Sequence, residues 1–177
     1  MNEIALRLAS RIFDQRLIEN QYRSAFIEEM IGPYLAPHGW RYAGGDWNGW
    51  DFVRSDNSRL EVKQSAANQT WAQKLPTRGS FDIAARQGSY DGPRYTKSPG
   101  RNAHTYLFAW NPIYGPEADH RNPDQWEFYV VLATLLPDRQ KTIVLSKIKL
   151  MAVPVRLGQL CEAIQQVAVA IPPTSVV

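Results

Sequence analysis

Two runs, Thr105 to Trp110 and Trp126 to Leu132, constrain this chain most. Both are short, aromatic and β-branched, with a single charge, Glu127, between them. Such runs suit strands covered on both faces, where a polar side would be costly to bury. They imply a sheet with layers packed on either side. Every charged residue placed on a neighbouring strand then needs a partner.

Trp50 to Arg54 and Arg59 to Gln64 read as two further strands, joined across Ser55-Asp56-Asn57-Ser58 as a hairpin. Side chains alternate along a strand, so Glu61 and Lys63 share one face and Leu60 and Val62 take the other. In a covered sheet, Glu61 and Lys63 need compensation, which a cation gives the glutamate and a carboxylate or phosphate gives the lysine. For Asp51 to join them, the hairpin must pair residues of equal parity. A two-residue turn at Asp56-Asn57 would set Asp51 against Val62 instead. A three- or five-residue loop, or a bulge, is therefore expected.

The rest of the chain reads as helices and short strands. Glu3 to Leu17 carries Ile4, Leu8 and Ile12 at helical spacing, with Ala5, Phe13 and Leu17 beside them. A second helix from about Gln21 carries Tyr22, Phe26, Ile27, Met30 and Ile31, interrupted by Gly32-Pro33 and ended by Pro37-His38-Gly39. Trp40 to Tyr42 reads as a strand, and Gly44-Gly45 as a turn. Ser65 is placed to cap a helix through Ala66, Ala67 and Trp71. Gly88 to Gly100, with three glycines and two prolines, reads as an irregular loop, as does Asn111 to Asp124. Thr142 to Leu145 is expected to be an edge strand, with Ser146 capping one helical turn. Leu157 to Val169 is a closing helix with Leu157, Leu160, Ala163, Ile164 and Val167 inward, before a frayed tail from Ile171. The expectation is one α/β domain, residues 1–177, with a mixed β-sheet flanked by helices.

Composition adds bounds. No apolar run in the 177 residues approaches a bilayer span, and the N-terminus lacks a signal-peptide pattern. The single cysteine, Cys161, cannot form an internal disulfide, and a cytoplasmic location fits. Net charge is only +3, but Lys74, Arg78, Arg86, Arg94, Lys97 and Arg101 face just Asp82 and Asp91 in that stretch, which favours a polyanion. His38, His104 and His120 are isolated and lack metal-ligand spacing.

Asp51 and Glu61-Val62-Lys63, with nine residues between the acids, resemble the motif of the PD-(D/E)xK nuclease superfamily, which includes restriction endonucleases and archaeal-type Holliday junction resolvases. Trp50 stands where that motif usually has proline. The family often adds a glutamate from the preceding helix. Glu28, eleven residues before Gly39, fits the resolvase-like spacing, although Glu29 lies nearer the apolar stripe of Phe26 and Met30.

The resemblance covers about Gln21 to Trp71 and implies a restriction-endonuclease-like fold that hydrolyses DNA. Asp51, Glu61 and Glu28 would hold Mg2+ or Mn2+, and Lys63 would orient water or stabilise charge on the phosphate. Gln64, at the position after the lysine, would be catalytic as well. Arg86, Arg94, Lys97 and Arg101 would follow the DNA backbone, and a homodimer would supply one site per strand. A binding module of the same fold without catalysis is the alternative.

Overall fold

A computed structural model of the chain describes residues 2–44, 48–91 and 94–168. The chain opens with α1 (Glu3–Phe13) and α2 (Asn20–Leu35), then runs through β1 (Trp40–Tyr42), β2 (Phe52–Arg54) and β3 (Arg59–Ala66). An excursion over residues 67–104 carries three short strands: β4 (Ser80–Asp82), β5 (Ser89–Asp91) and β6 (Arg94–Thr96). The chain returns as β7 (Thr105–Asn111) and β8 (Glu127–Leu132), followed by β9 (Thr142–Val144), the one-turn α3 (Leu145–Ile148) and α4 (Leu160–Ala168).

The main sheet is five-stranded, in the order β1-β2-β3-β7-β8. β3 and β7 are parallel and the other neighbours antiparallel, so the protein is mixed α/β with a mixed sheet. Every residue of β7 is buried, as its composition required. Alternation divides the side chains between two cores. Phe52, Leu60, Val62, Leu107, Ala109, Phe128 and Val130 meet Ile27, Ile31 and Leu35 of α2 and Leu160 and Ile164 of α4. On the other face Tyr106, Phe108, Trp110, Tyr129 and Val131 lie under Phe81, Ile83, Ile143 and Ile148. Burying each large aliphatic side chain contributes roughly 1.5–3 kcal/mol, so the two layers hold β3 and β7 from both sides.

Several elements differ from their sequence reading. α1 stops at Phe13, and none of its residues is buried. α2 continues through Gly32-Pro33, because Ile31 and Leu35 anchor it on either side of the proline. Its buried stripe is Arg23, Ile27, Ile31 and Leu35, at every fourth residue, with Phe26 and Met30 only half-buried. A short 3-10 turn, Ala36–His38, leads to Gly39 at φ +81, a conformation that glycine adopts without cost.

The helix expected after Ser65 does not form. β3 instead pairs with β7 from Leu60↔Thr105 to Ala66↔Asn111. Beyond it, the Gln69 side-chain amide donates to the Ala66 carbonyl at 2.7 Å, and Gln73 accepts from the Gln69 amide at 2.6 Å. β8, also expected to be covered on both faces, stands at the end of the sheet, where Phe128 and Val155 exchange backbone hydrogen bonds of 3.0 and 2.9 Å. β9 pairs with β4 in a separate two-stranded sheet, and Val144 rather than Ser146 precedes α3.

Residues 88–100, read as an irregular loop, hold the β5–β6 hairpin. Gly45, half of the expected Gly44-Gly45 turn, Val169 and the tail from Ile171 lie outside the described residues. Among those described, no helix is long and apolar enough to cross a membrane.

Candidate active site

The site begins with the turn between β2 and β3. The Arg54 amide donates to the Ser58 carbonyl and the Asn57 amide to the Arg54 carbonyl, both at 2.9 Å. Asn57 sits at φ +65, a left-handed conformation that asparagine tolerates better than most residues. The result is the equal-parity register Val53↔Arg59 and Phe52↔Leu60. Phe52 and Leu60 go into the core beneath α2, and Asp51 falls on the face of Glu61 and Lys63.

Asp51 is fixed by backbone. Its amide donates to the Leu60 carbonyl at 2.9 Å, and its Oδ2 accepts from the Val62 amide at 2.6 Å. The Lys63 ammonium donates to Glu61 Oε1. From α2, Glu28 comes to the same place, on a stripe with Gln21, Ser24 and Ala25, and accepts from the Tyr42 hydroxyl at 3.1 Å. Glu29, the neighbouring acid, is exposed. Glu28, Tyr42, Asp51, Glu61, Lys63 and Tyr106 line one cavity of about 700 Å³.

The carboxylates are electrostatically crowded. Burial, and then the charge of Asp51, push Glu28 up to about 7 against the pull of the Tyr42 hydroxyl and Lys63. Burial and Asp51 likewise push Glu61 up to about 7, although Lys63 opposes them. Asp51 is itself raised by burial, with the Val62 amide and Lys63 pulling the other way. Tyr42, partly desolvated and beside Glu28, rises to about 12. One ammonium does not neutralise three acids in this environment.

Of the residues named from sequence, Glu28, Asp51, Glu61 and Lys63 are brought together. Gln64 is not. It lies on the opposite side of β3, outside the lining, where its Oε1 accepts from Arg23 Nε at 2.5 Å and its amide donates to Asn20 Oδ1 at 3.1 Å. Arg86 reaches the cavity wall but is paired with Asp82 at 2.5 Å. The Arg101 side chain is only 8% exposed. It donates to the carbonyls of Ile83 at 2.8 Å, Leu136 at 3.3 Å and Pro137 at 2.7 Å, tying loops together. Arg94 and Lys97 are exposed and outside the cavity.

Sequence reasoning missed the tyrosines. Tyr42, Tyr90, Tyr95 and Tyr106 all line the cavity, yet they come from four separate strands and share no local spacing. His120 is fully buried, accepting from the Ile18 amide at 3.0 Å and bonded to the Asn68 carbonyl at 3.1 Å. Burial, then the charge of Arg23, drag it down to about 4.

Among the described residues, no group of three or more histidine, cysteine, aspartate or glutamate side chains is gathered closely enough to hold a metal unaided. Mg2+ is commonly held by one or two carboxylates and completed by water. Asp51 and Glu61, hard oxygen donors on one face whose repulsion Lys63 offsets only in part, fit that requirement. No family model, curated protein or solved structure matches the chain, so the site is read from its own residues.

Proposed function

We propose that this chain is a metal-dependent nuclease of the PD-(D/E)xK kind, with a restriction-endonuclease-like fold, hydrolysing DNA phosphodiester bonds. One observation supports it above the rest. A helix acid, an acid just before β2 and the Glu-x-Lys pair of β3 line a single cavity, where burial, and then the charge of Asp51, lifts both glutamates to about 7. Buried like charges of this kind call for a cation.

Asp51 and Glu61 are the residues that would hold Mg2+ or Mn2+, with Glu28 as a further ligand through water. A cation held there would neutralise charge at the phosphoryl oxygens and lower the pKa of a water bound to it. The protein's own groups do the positioning. The Val62 amide fixes the Asp51 carboxylate. The Lys63 ammonium, held by Glu61, keeps protons free to orient the attacking water or a phosphoryl oxygen. Tyr42 holds the Glu28 carboxylate at the cavity wall.

The test is supercoiled plasmid incubated with Mg2+ or Mn2+, beside Lys63→Ala and an EDTA control. Nicking or linearisation by the wild type alone, abolished by EDTA, is the expected result. Equal cleavage by wild type and Lys63→Ala would remove Lys63 from the mechanism. The pairing of Lys63 with Glu61 favours a second reading, a nucleic-acid-binding module without catalysis. That reading predicts salt-sensitive DNA binding by both proteins and cleavage by neither.

A further inference from the structure

The β5–β6 hairpin forms part of the cavity wall, and it is firmly seated. Arg86 and Gly100 exchange two backbone hydrogen bonds of 2.9 Å at its base. Asn48 bridges to Tyr90 in parallel, tying β5 to the segment that leads into Asp51. Gly49 is pressed so closely between them that an added Cβ would stand 2.9 Å from that of Ser89 and 2.8 Å from that of Asn102. The hairpin is therefore fixed beside the carboxylates.

Its contribution is aromatic. The Tyr90 and Tyr95 rings are 5.2 Å apart, both line the cavity, and they remain 38% and 51% exposed. The cations that line the cavity are already engaged: Lys63 with Glu61, Arg86 with Asp82, and Arg101 with three backbone carbonyls. Duplex binding draws its affinity from cations set against phosphates. Single-strand binding adds to such contacts bases stacked on aromatic rings, at roughly 1–3 kcal/mol per base, which a paired duplex cannot offer. The volume, about 700 Å³, falls in the range of roughly 300–1,000 Å³ that encloses a small ligand, suited to a nucleotide out of its helix.

We propose, resting on the nuclease reading for the chemistry that follows, that the site takes single-stranded nucleic acid, an unpaired base stacking on Tyr95 beside the carboxylates, with the Tyr90 ring, tilted 58° to it, against the edge of the base. Arg94 and Lys97, exposed on and just beyond β6, meet the phosphates of the strand as it leaves.

The test is the anisotropy of a fluorescent oligothymidylate and of a blunt duplex of equal length, titrated with the intact protein in Ca2+. Wild type, Tyr95→Ala and Tyr95→Phe are compared. The single strand should bind about tenfold or more tightly than the duplex, with Tyr95→Ala losing about tenfold, the worth of stacking one base. Tyr95→Phe should retain most of it.

Duplex bound as tightly as single strand by the wild type would overturn the proposal whatever the variants do. So would binding of neither probe, or single-strand affinity untouched in a folded Tyr95→Ala protein. Cleavage is read separately. Stacking-dependent binding without cleavage of either probe in Mg2+ or Mn2+ keeps the stacking site and removes the nuclease reading. Metal-dependent cleavage with no preference for the single strand does the reverse.

Discussion

Asp51 has two duties that one substitution separates. Its carboxylate accepts the Val62 amide, closing the end of the hairpin, and its charge raises both Glu28 and Glu61. Asp51→Asn keeps an acceptor for that amide while removing the charge. Thermal melting without divalent cations should show the variant as stable as the wild type or more so, and Mg2+ should no longer raise its Tm. Function and stability oppose each other at such a position.

The glutamates give a pH signature whose sign is fixed. Glu28 and Glu61 stand at about 7 in the folded protein against an ordinary value of 4.5. The folded state therefore keeps protons that the unfolded chain releases between those values, and this contribution to stability is lost as pH rises through the window. His120, at about 4 against an ordinary 6.5, acts in the opposite direction, costing stability as pH falls. Comparing wild type with Glu61→Gln in EDTA isolates the first effect. The variant's Tm should fall less between about pH 4.5 and 7, and an unchanged slope would show that Glu61 is not held high.

Among the elements, α2 matters most, because it covers the sheet and also delivers Glu28. Ile31 is fully buried beneath it, so Ile31→Ala should cost about 2–5 kcal/mol in urea unfolding. How much of this region could be read in advance depends on the range of the forces involved. The parity of the β2–β3 hairpin was legible once Asp51 was required to share the face of Glu61 and Lys63, since only equal-parity pairing puts it there. That Glu28 rather than Glu29 lines the cavity was legible from spacing but not from periodicity, because a buried arginine, Arg23, occupies the stripe where an apolar residue was sought. The missing helix after Ser65 was not legible. Seven consecutive pairings with β7 decide it, and nothing local announces them. Gln64 was misplaced for a related reason: its partners Arg23 and Asn20 lie more than forty residues away.

For the whole molecule, α1 is nearly separable. Its contact with the body includes the Phe13–Phe26 ring pair at 5.7 Å, and Ile4, Leu6 and Leu8 are exposed. Removing residues 1–13 should lower stability by only about 2–4 kcal/mol, from the half-buried Ile12 and Phe13 and their ring pair, measurable as a shift in the denaturant midpoint.

The excursion over residues 67–104 has the opposite character, since the parallel ladder at the sheet's centre cannot close until β7 arrives from far along the chain. That pairing raises contact order, so the folding rate is set by a distant encounter rather than by local turns. The β2–β3 hairpin, complete within fifteen residues from Phe52 to Ala66, waits through that interval with one edge unpaired. Until it is paired, that edge is the part of the chain most open to association with another copy.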